Sequence, residues 1–151
     1  MSDIKGFDIQ DHILIRYYGT ESNVEIPGNV TVIGENAFYG CKNLKHITIP
    51  DSVTSIGDCA FFACHKLQSI DIPYGVTRIG YATFCECDRL KNVTLPDSVT
   101  VIEKRAFCGC KNLKNIRIPD GVTEIGESVF INCKSLESIV IPESVDRTES
   151  E

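Results

Sequence analysis

Apolar and polar positions along this chain recur every 23 residues, and the prolines mark the period. All six, Pro27, Pro50, Pro73, Pro96, Pro119 and Pro142, lie on one comb, and no proline lies off it. Three residues past each stands Val (Val30, Val53, Val76, Val99, Val122, Val145), and six past stands Ile (Ile33, Ile56, Ile79, Ile102, Ile125). Eleven past stands Phe (Phe38, Phe61, Phe84, Phe107, Phe130), fourteen past Cys (Cys41, Cys64, Cys87, Cys110, Cys133), and seventeen past Leu (Leu44, Leu67, Leu90, Leu113, Leu136). Self-similarity at such a period is the signature of a solenoid, in which each repeat buries its apolar face only by stacking on its neighbours.

Within a repeat, Leu-x-x-Ile-x-Ile-Pro, as in Leu44 to Pro50, alternates apolar and polar residues at its end and predicts a short half-buried strand. Proline closes it, having no N–H for the ladder. Asp51-Ser52, Asp97-Ser98 and Asp120-Gly121 then supply turns. The piece Val-Thr-x-Ile-Gly-x-x-x-Phe, as in Val53 to Phe61, carries the chain back along the convex side. Gly34, Gly57, Gly80 and Gly126 predict a bend with positive φ there, and Glu103 in their column predicts one altered or strained bend. Each turn adds one strand to a parallel sheet; at ~4.8 Å per strand, five full turns extend roughly 25 Å.

The ends depart from the pattern. Residues 7–18 read as two short strands about an Asp11-His12 turn, a hairpin cap over the first coil, with Val24-Glu25-Ile26 as the first repeat-like strand. The expected organisation is a single domain over 1–151: cap and first strand at 1–26, five repeats at 27–141, and a truncated sixth repeat with a polar tail at 142–151. With no obvious C-terminal cap, the last coil is expected to be covered by further repeats, by another chain, or only by the polar tail.

These residues resemble a known family. The repeat Cys-x-x-Leu-x-x-Ile-x-Ile-Pro-x-x-Val-x-x-Ile-Gly-x-x-x-Phe over residues 24–145 resembles the BspA-like leucine-rich repeats, and the hairpin looks like that family's N-terminal cap. The resemblance implies a right-handed leucine-rich-repeat solenoid with a parallel sheet on its concave face and irregular or short helical turns on the convex side. It also implies a bacterial surface or secreted protein with a role in adhesion. The opening Met-Ser-Asp-Ile-Lys-Gly lacks the basic stretch and apolar run of a signal peptide, as expected of a cytoplasmic chain or a secreted one separated from its leader.

Composition narrows the function. The chain of 151 residues is 42% hydrophobic and 24% charged, with no apolar run long enough for a spanning helix. A formal net charge of −6 argues against general nucleic-acid binding. His12, His46 and His65 occupy different columns, and neither a catalytic constellation nor a phosphate loop is evident, so an enzyme or a cofactor is not expected.

Eight cysteines raise the questions of disulfides and metal. Five belong to the core column, where Cys acts as a small hydrophobe with a weak donor near turn carbonyls. Stacked neighbours of that column could fall near disulfide distance, but five in a row cannot all pair; Cys85 and Cys108, which share a column with Tyr39, Phe62 and Ile131, are expected to be adjacent and are the one candidate bridge. Cys85-Glu86-Cys87 and Cys108-Gly109-Cys110 resemble metal clips, but one cysteine of each belongs to the core, so the side chains are expected to diverge and no metal is expected.

Three columns face solvent along the strands: Asn23, His46, Ser69, Asn92, Asn115, Ser138; then Glu25, Thr48, Asp71, Thr94, Arg117, Val140; and at the edge Lys45, Gln68, Lys91, Lys114, Glu137. Between each core cysteine and the next proline lie nine of the 15 basic residues and only three of the 21 acidic ones. The expectation is a basic strand side that binds an anionic partner, an acidic protein loop or a sulfated glycan, through Lys45, His46, Asp71, Lys91, Asn92, Lys114, Asn115 and Arg117. Against this, the lysines simply keep an exposed sheet soluble, and these columns carry no aromatic anchors. The alternative is a structural spacer or self-assembling segment of a larger surface protein, with a homodimer through residues 133–145.

Overall fold

A computed structural model describes residues 3–4 and 6–145, with side chains from residue 6 onward; Met1, Ser2, Lys5 and the polar tail expected at 146–151 lie outside the described residues. Strands are numbered in chain order. One parallel ladder is made of three-residue strands: β4 (Asn23–Glu25), β6 (His46–Thr48), β8 (Ser69–Asp71) and β10 (Asn92–Thr94), continuing with β12 (Asn115–Arg117) and β14 (Ser138–Val140). Pairing is offset by the 23-residue period, as in Asn92↔Ser69 and Asn115↔Ser138, so sequence columns become rows of side chains across the sheet. The result is a solenoid of about six turns with no helix among the described residues.

Each strand ends as expected. The proline carbonyl accepts the N–H of the valine three residues on in every coil, from Val30 to Val145, closing a turn at 3.1–3.2 Å. The turn serines also stitch coils together: Ser52, Ser98 and Ser144 donate to the carbonyls of Val30, Val76 and Val122, all at 2.7 Å.

The return path is more regular than the sequence implies. Two-residue strands β5 (Val32–Ile33), β7 (Ser55–Ile56), β9 (Arg78–Ile79), β11 (Val101–Ile102) and β13 (Glu124–Ile125) form a second run of parallel pairing. Beyond them, N–H groups alternate between a local turn and the next coil: Ala37 and Tyr39 bond to Gly34 and Asn36, while Phe38 and Gly40 bond to Ala60 and Phe62. Turn and cross-coil bonds together satisfy this curved backbone without helix.

The glycine column calls for a correction. Gly34, Gly57, Gly80 and Gly126 do not have positive φ; the left-handed residues are nine and thirteen past the proline, and most are not glycine (Asn36, Cys59, Ala63, Ala82, Glu86, Arg105, Ser128, Asn132). The glycines answer to close packing instead: a Cβ at Gly57 would lie 2.5 Å from the Glu35 amide nitrogen, and one at Gly126 2.5 Å from that of Lys104. Glu103 keeps its coil's ladder bond, its N–H donating to Ile79 at 2.8 Å, and its carboxylate takes the Arg78 guanidinium at 3.0 Å.

The hairpin cap forms at the expected residues. β2 (Phe7–Gln10) and β3 (Ile13–Tyr17) pair antiparallel about Asp11 and His12, whose φ values of 52° and 66° give the two-residue turn that matches strand twist. A short β1 (Asp3–Ile4) extends the sheet beyond β2. β3 pairs parallel with β5, so the hairpin takes the place of a preceding coil on the return side.

One aromatic stack runs the length of the core. Ring centroids through Phe7, Tyr17, Phe38, Phe61, Phe84, Phe107 and Phe130 follow at 5.1, 5.3, 5.1, 5.5, 5.4 and 5.8 Å. Cap and repeats thereby share one core. The core cysteines back this stack: Cys64, Cys87, Cys110 and Cys133 donate to the carbonyls of Phe38, Phe61, Phe84 and Phe107 at 3.1–3.2 Å. Cysteine recurs because it fills a small apolar space while satisfying the carbonyl of the preceding coil.

Candidate binding face

All eight candidate residues, Lys45, His46, Asp71, Lys91, Asn92, Lys114, Asn115 and Arg117, are exposed. Four of them, Lys91, Asn92, Lys114 and Asn115, line one open cleft of about 450 Å³ together with Asn112. Asn115 joins it to a second cleft of about 390 Å³ bounded by Arg117, Asp120, Ser138 and Val140. Lys45, His46 and Asp71 stand outside both, on earlier coils; His46 lies in register with Asn23 and Ser69, and Asp71 with Thr94.

The nine basic residues of the strand side divide between strand and loop. Of the nine, only Arg117 lies within a strand, and its guanidinium is held 3.3 Å from Asp97. The other eight, Lys42, Lys45, Lys66, Arg89, Lys91, Lys111, Lys114 and Lys134, lie in the loops leading into the strands, a basic edge rather than a basic face. Among the described residues none of these eight is in an ion pair. Across the strands, the turns after the prolines hold exposed Asp51, Asp97, Asp120 and Glu143 and no base. The polar strand face thus lies between a basic edge and an acidic one. Lysine ammonium groups beside asparagine carboxamides can hold an anion and orient neighbouring hydroxyls or amides.

A larger open cleft, about 730 Å³, lies where the cap meets the first coil, lined among others by Arg16, Tyr18, Glu35, Tyr39 and Lys42. Tyr18 is 67% exposed, and Tyr39 is stacked on Phe62 at 5.0 Å. Column reading missed it because Tyr18 lies outside the repeats.

The remaining cysteines separate as their columns require. Within Cys85-Glu86-Cys87 and Cys108-Gly109-Cys110, the Cys87 and Cys110 thiols point to core carbonyls. Cys85 and Cys108 instead meet in a satellite cluster with Ala82, beside Cys59 and Phe62. All eight cysteines are free thiols. Burial above all, then the Cys108 thiol and the Glu86 charge, raises Cys85 well beyond an ordinary thiol. Cys41, first in its column and half-buried, is pushed up to about 11 by burial despite the Arg16 charge. The sequence did not indicate that Cys85, Cys108 and Glu86 converge, their donor atoms all within 4.8 Å of one another.

Comparisons agree with this architecture. A protein from Bacteroides ovatus, described as a leucine-rich repeat protein, is 40% identical over 89% of this chain, with a TM-score of 0.81. This chain spans 37% of that protein, so it corresponds to about a third of its length. The Treponema pallidum leucine rich repeat protein is 32% identical over 93% of this chain and 71% of its own, with a TM-score of 0.87. A leucine rich cell surface protein of Faecalibacterium prausnitzii is 29% identical over 88% of this chain and 52% of its own, with a TM-score of 0.52. A search of curated proteins returned no match. The family model of the BspA type leucine rich repeat region matches in six copies over residues 16–108 and 77–151, and the chain belongs to that family.

Proposed function

We propose that this chain is a non-enzymatic recognition module whose strand face and basic edge bind an anionic partner, an acidic protein segment or a sulfated glycan, in an adhesion role. One observation carries the reading: eight basic side chains without ion pairs among the described residues line one edge of a polar strand face whose other edge is acidic. Such a field orients and speeds the approach of an anion, and its effect falls with salt. The cleft of Lys91, Asn92, Lys114 and Asn115 is the proposed centre, flanked by Arg117, with Lys45, His46 and Asp71 extending the surface. The "cell surface" description of the Faecalibacterium relative supports placing that role outside the cell.

Binding to a panel of matrix proteins and sulfated glycans at two salt concentrations tests this reading. The Lys45→Glu, Lys91→Glu, Lys114→Glu variant is expected to lose salt-sensitive binding, while Lys104→Glu, away from this edge and paired with Glu127, retains it. Equal binding by both variants refutes the reading.

A second reading, a spacer or self-assembling segment, draws support from Val140, which is 80% exposed on β14. It predicts a concentration-dependent dimer in sedimentation that Val140→Lys abolishes. A monomer at all concentrations removes it.

A further inference from the structure

We propose that Cys85, Cys108 and Glu86 form a site for a thiophilic divalent cation of the zinc type. The three donor atoms lie within 4.8 Å of one another, although the residues come from two successive coils. In a tetrahedral zinc site, bonds of about 2.3 Å to sulfur and 2.0 Å to oxygen place donors roughly 3.4–3.8 Å apart. Small side-chain rotations close that difference.

Two further observations point to a ligand. The first is the backbone at Glu86. The left-handed position thirteen past the proline is held by Gly40, Ala63, Gly109 and Asn132 in the other coils, and Glu86 holds it at φ 66°. A side chain there is strained relative to glycine, as it is at Ala63 and Asn132, and only Glu86 places a carboxylate there. The second is the position of the carboxylate. It rests over bare backbone, since a Cβ at Gly109 would lie 3.0 Å from Glu86 Oε2. It is half-buried and, among the described residues, holds neither a hydrogen bond nor an ion pair. A strained residue thus presents an unpartnered carboxylate to two buried thiols.

The column twelve past the proline agrees. It carries Tyr39, Phe62 and Ile131 in other coils, so packing there is met by an ordinary apolar residue, and two successive cysteines are not needed for it. On binding, the thiol protons of Cys85 and Cys108 leave to solvent and both bind as thiolates; a water completes the tetrahedron. Arg105, whose charge acts on Cys85, brings the loaded site to neutrality. Two thiolates select a soft cation over calcium or magnesium.

Cobalt(II) serves as the probe, because zinc is spectroscopically silent. Titrated into reduced, metal-free protein, it is expected to bind one equivalent with sulfur-to-cobalt charge-transfer bands that zinc abolishes. Cys108→Ile places the residue found at 131 in the same column, so the chain folds, and the bands vanish. Cys59→Ala, beside the cluster but outside the donor set, leaves them. Glu86→Gly separates ligation from structure: it raises the melting temperature of metal-free protein and weakens cobalt binding by roughly tenfold or more. Absence of bands in the parent protein, their persistence in Cys108→Ile, or a Cys85–Cys108 disulfide that forms in place of the metal complex overturns the proposal.

Discussion

Replacing Phe84 by alanine tests whether the aromatic stack holds the coils together. Phe84 is fully buried, with Phe61 at 5.5 Å on one side and Phe107 at 5.4 Å on the other. Phe130 is only partly buried, and among the described residues its single ring neighbour is Phe107, at 5.8 Å. A fully buried Phe→Ala change costs about 3–5 kcal/mol in lost transfer and cavity terms, with ring pairing worth roughly 0.5–1.5 kcal/mol per pair within that figure. Phe84→Ala is therefore expected to cost about 4 kcal/mol and Phe130→Ala about half as much. The larger loss is a sizeable share of the roughly 5–15 kcal/mol that holds a domain together. Because repeats couple only to their neighbours, it should also divide the array, with the coils after Phe107 exchanging their amide protons faster than the cap. Urea unfolding followed by circular dichroism, with hydrogen exchange by coil, measures both effects. Equal losses at Phe84 and Phe130 would falsify the stacking argument.

Three further changes probe the backbone and the thiols. Ala63→Gly, at φ 61°, is expected to stabilise by about 0.5 kcal/mol, the relief of a left-handed alanine exceeding the added chain entropy; a lower urea midpoint contradicts it. Gly57→Ala drives a Cβ to 2.5 Å from the Glu35 nitrogen, and should cost about 2–3 kcal/mol, because backbone cannot yield as a side chain can; an unchanged melting temperature refutes the close-packing account. Burial holds the Cys64 and Cys87 thiols above their unfolded value near 8.5. Their folded values are raised, so their stability contribution is complete below that pH and is lost as pH climbs from it, by about 1.4 kcal/mol per pH unit for each thiol. Melting curves from pH 7 to 10 should fall less steeply for the Cys64→Ala, Cys87→Ala variant, and parallel curves count against the assignment.

What was legible in the sequence follows from how each feature is encoded. The strands, the proline turns and the cysteine–carbonyl contacts depend on residue type at a fixed offset, and an offset repeated five times can be read directly; the cap hairpin was read instead from two short strands about Asp11-His12. The second ladder was not legible, because two-residue strands such as Val32–Ile33 are too short to show alternation. Gly57 was noticed for a bend, but a glycine required by a neighbour's backbone looks the same in sequence as one required by φ. The columns of the proposed binding surface were readable, the edge column of Lys45, Lys91 and Lys114 among them, and Lys91 falls just ahead of β10; the clefts they line were not, because a cleft depends on side-chain placement between coils. Adjacency of Cys85 and Cys108 came from column arithmetic, whereas the approach of Glu86 depends on a left-handed turn that its residue type disfavours.

Repetition supplies an internal control in this molecule. Where one residue type recurs in every coil, as at the phenylalanine column, packing explains it, and it says nothing of function. Where one coil departs from its column at an energetic cost, packing cannot explain it, since the other coils show what packing would accept. The departures differ on this criterion. Glu103 in the glycine column is answered by Arg78, which also reaches Asp58 at 3.2 Å, so a local ion-pair network accounts for it. Lys91 and Lys114 stand in a solvent-facing column that also accepts Gln68 and Glu137, so their charge is unconstrained by the fold and free to serve a partner. Glu86 is a different case: among the described residues its carboxylate has no protein partner, and both neighbouring departures in the adjoining column are thiols. Two thiols beside a carboxylate without a protein partner, where the other coils pack tyrosine, phenylalanine or isoleucine, are best explained by a ligand, and the thiol and carboxylate donors narrow that ligand to a soft metal cation.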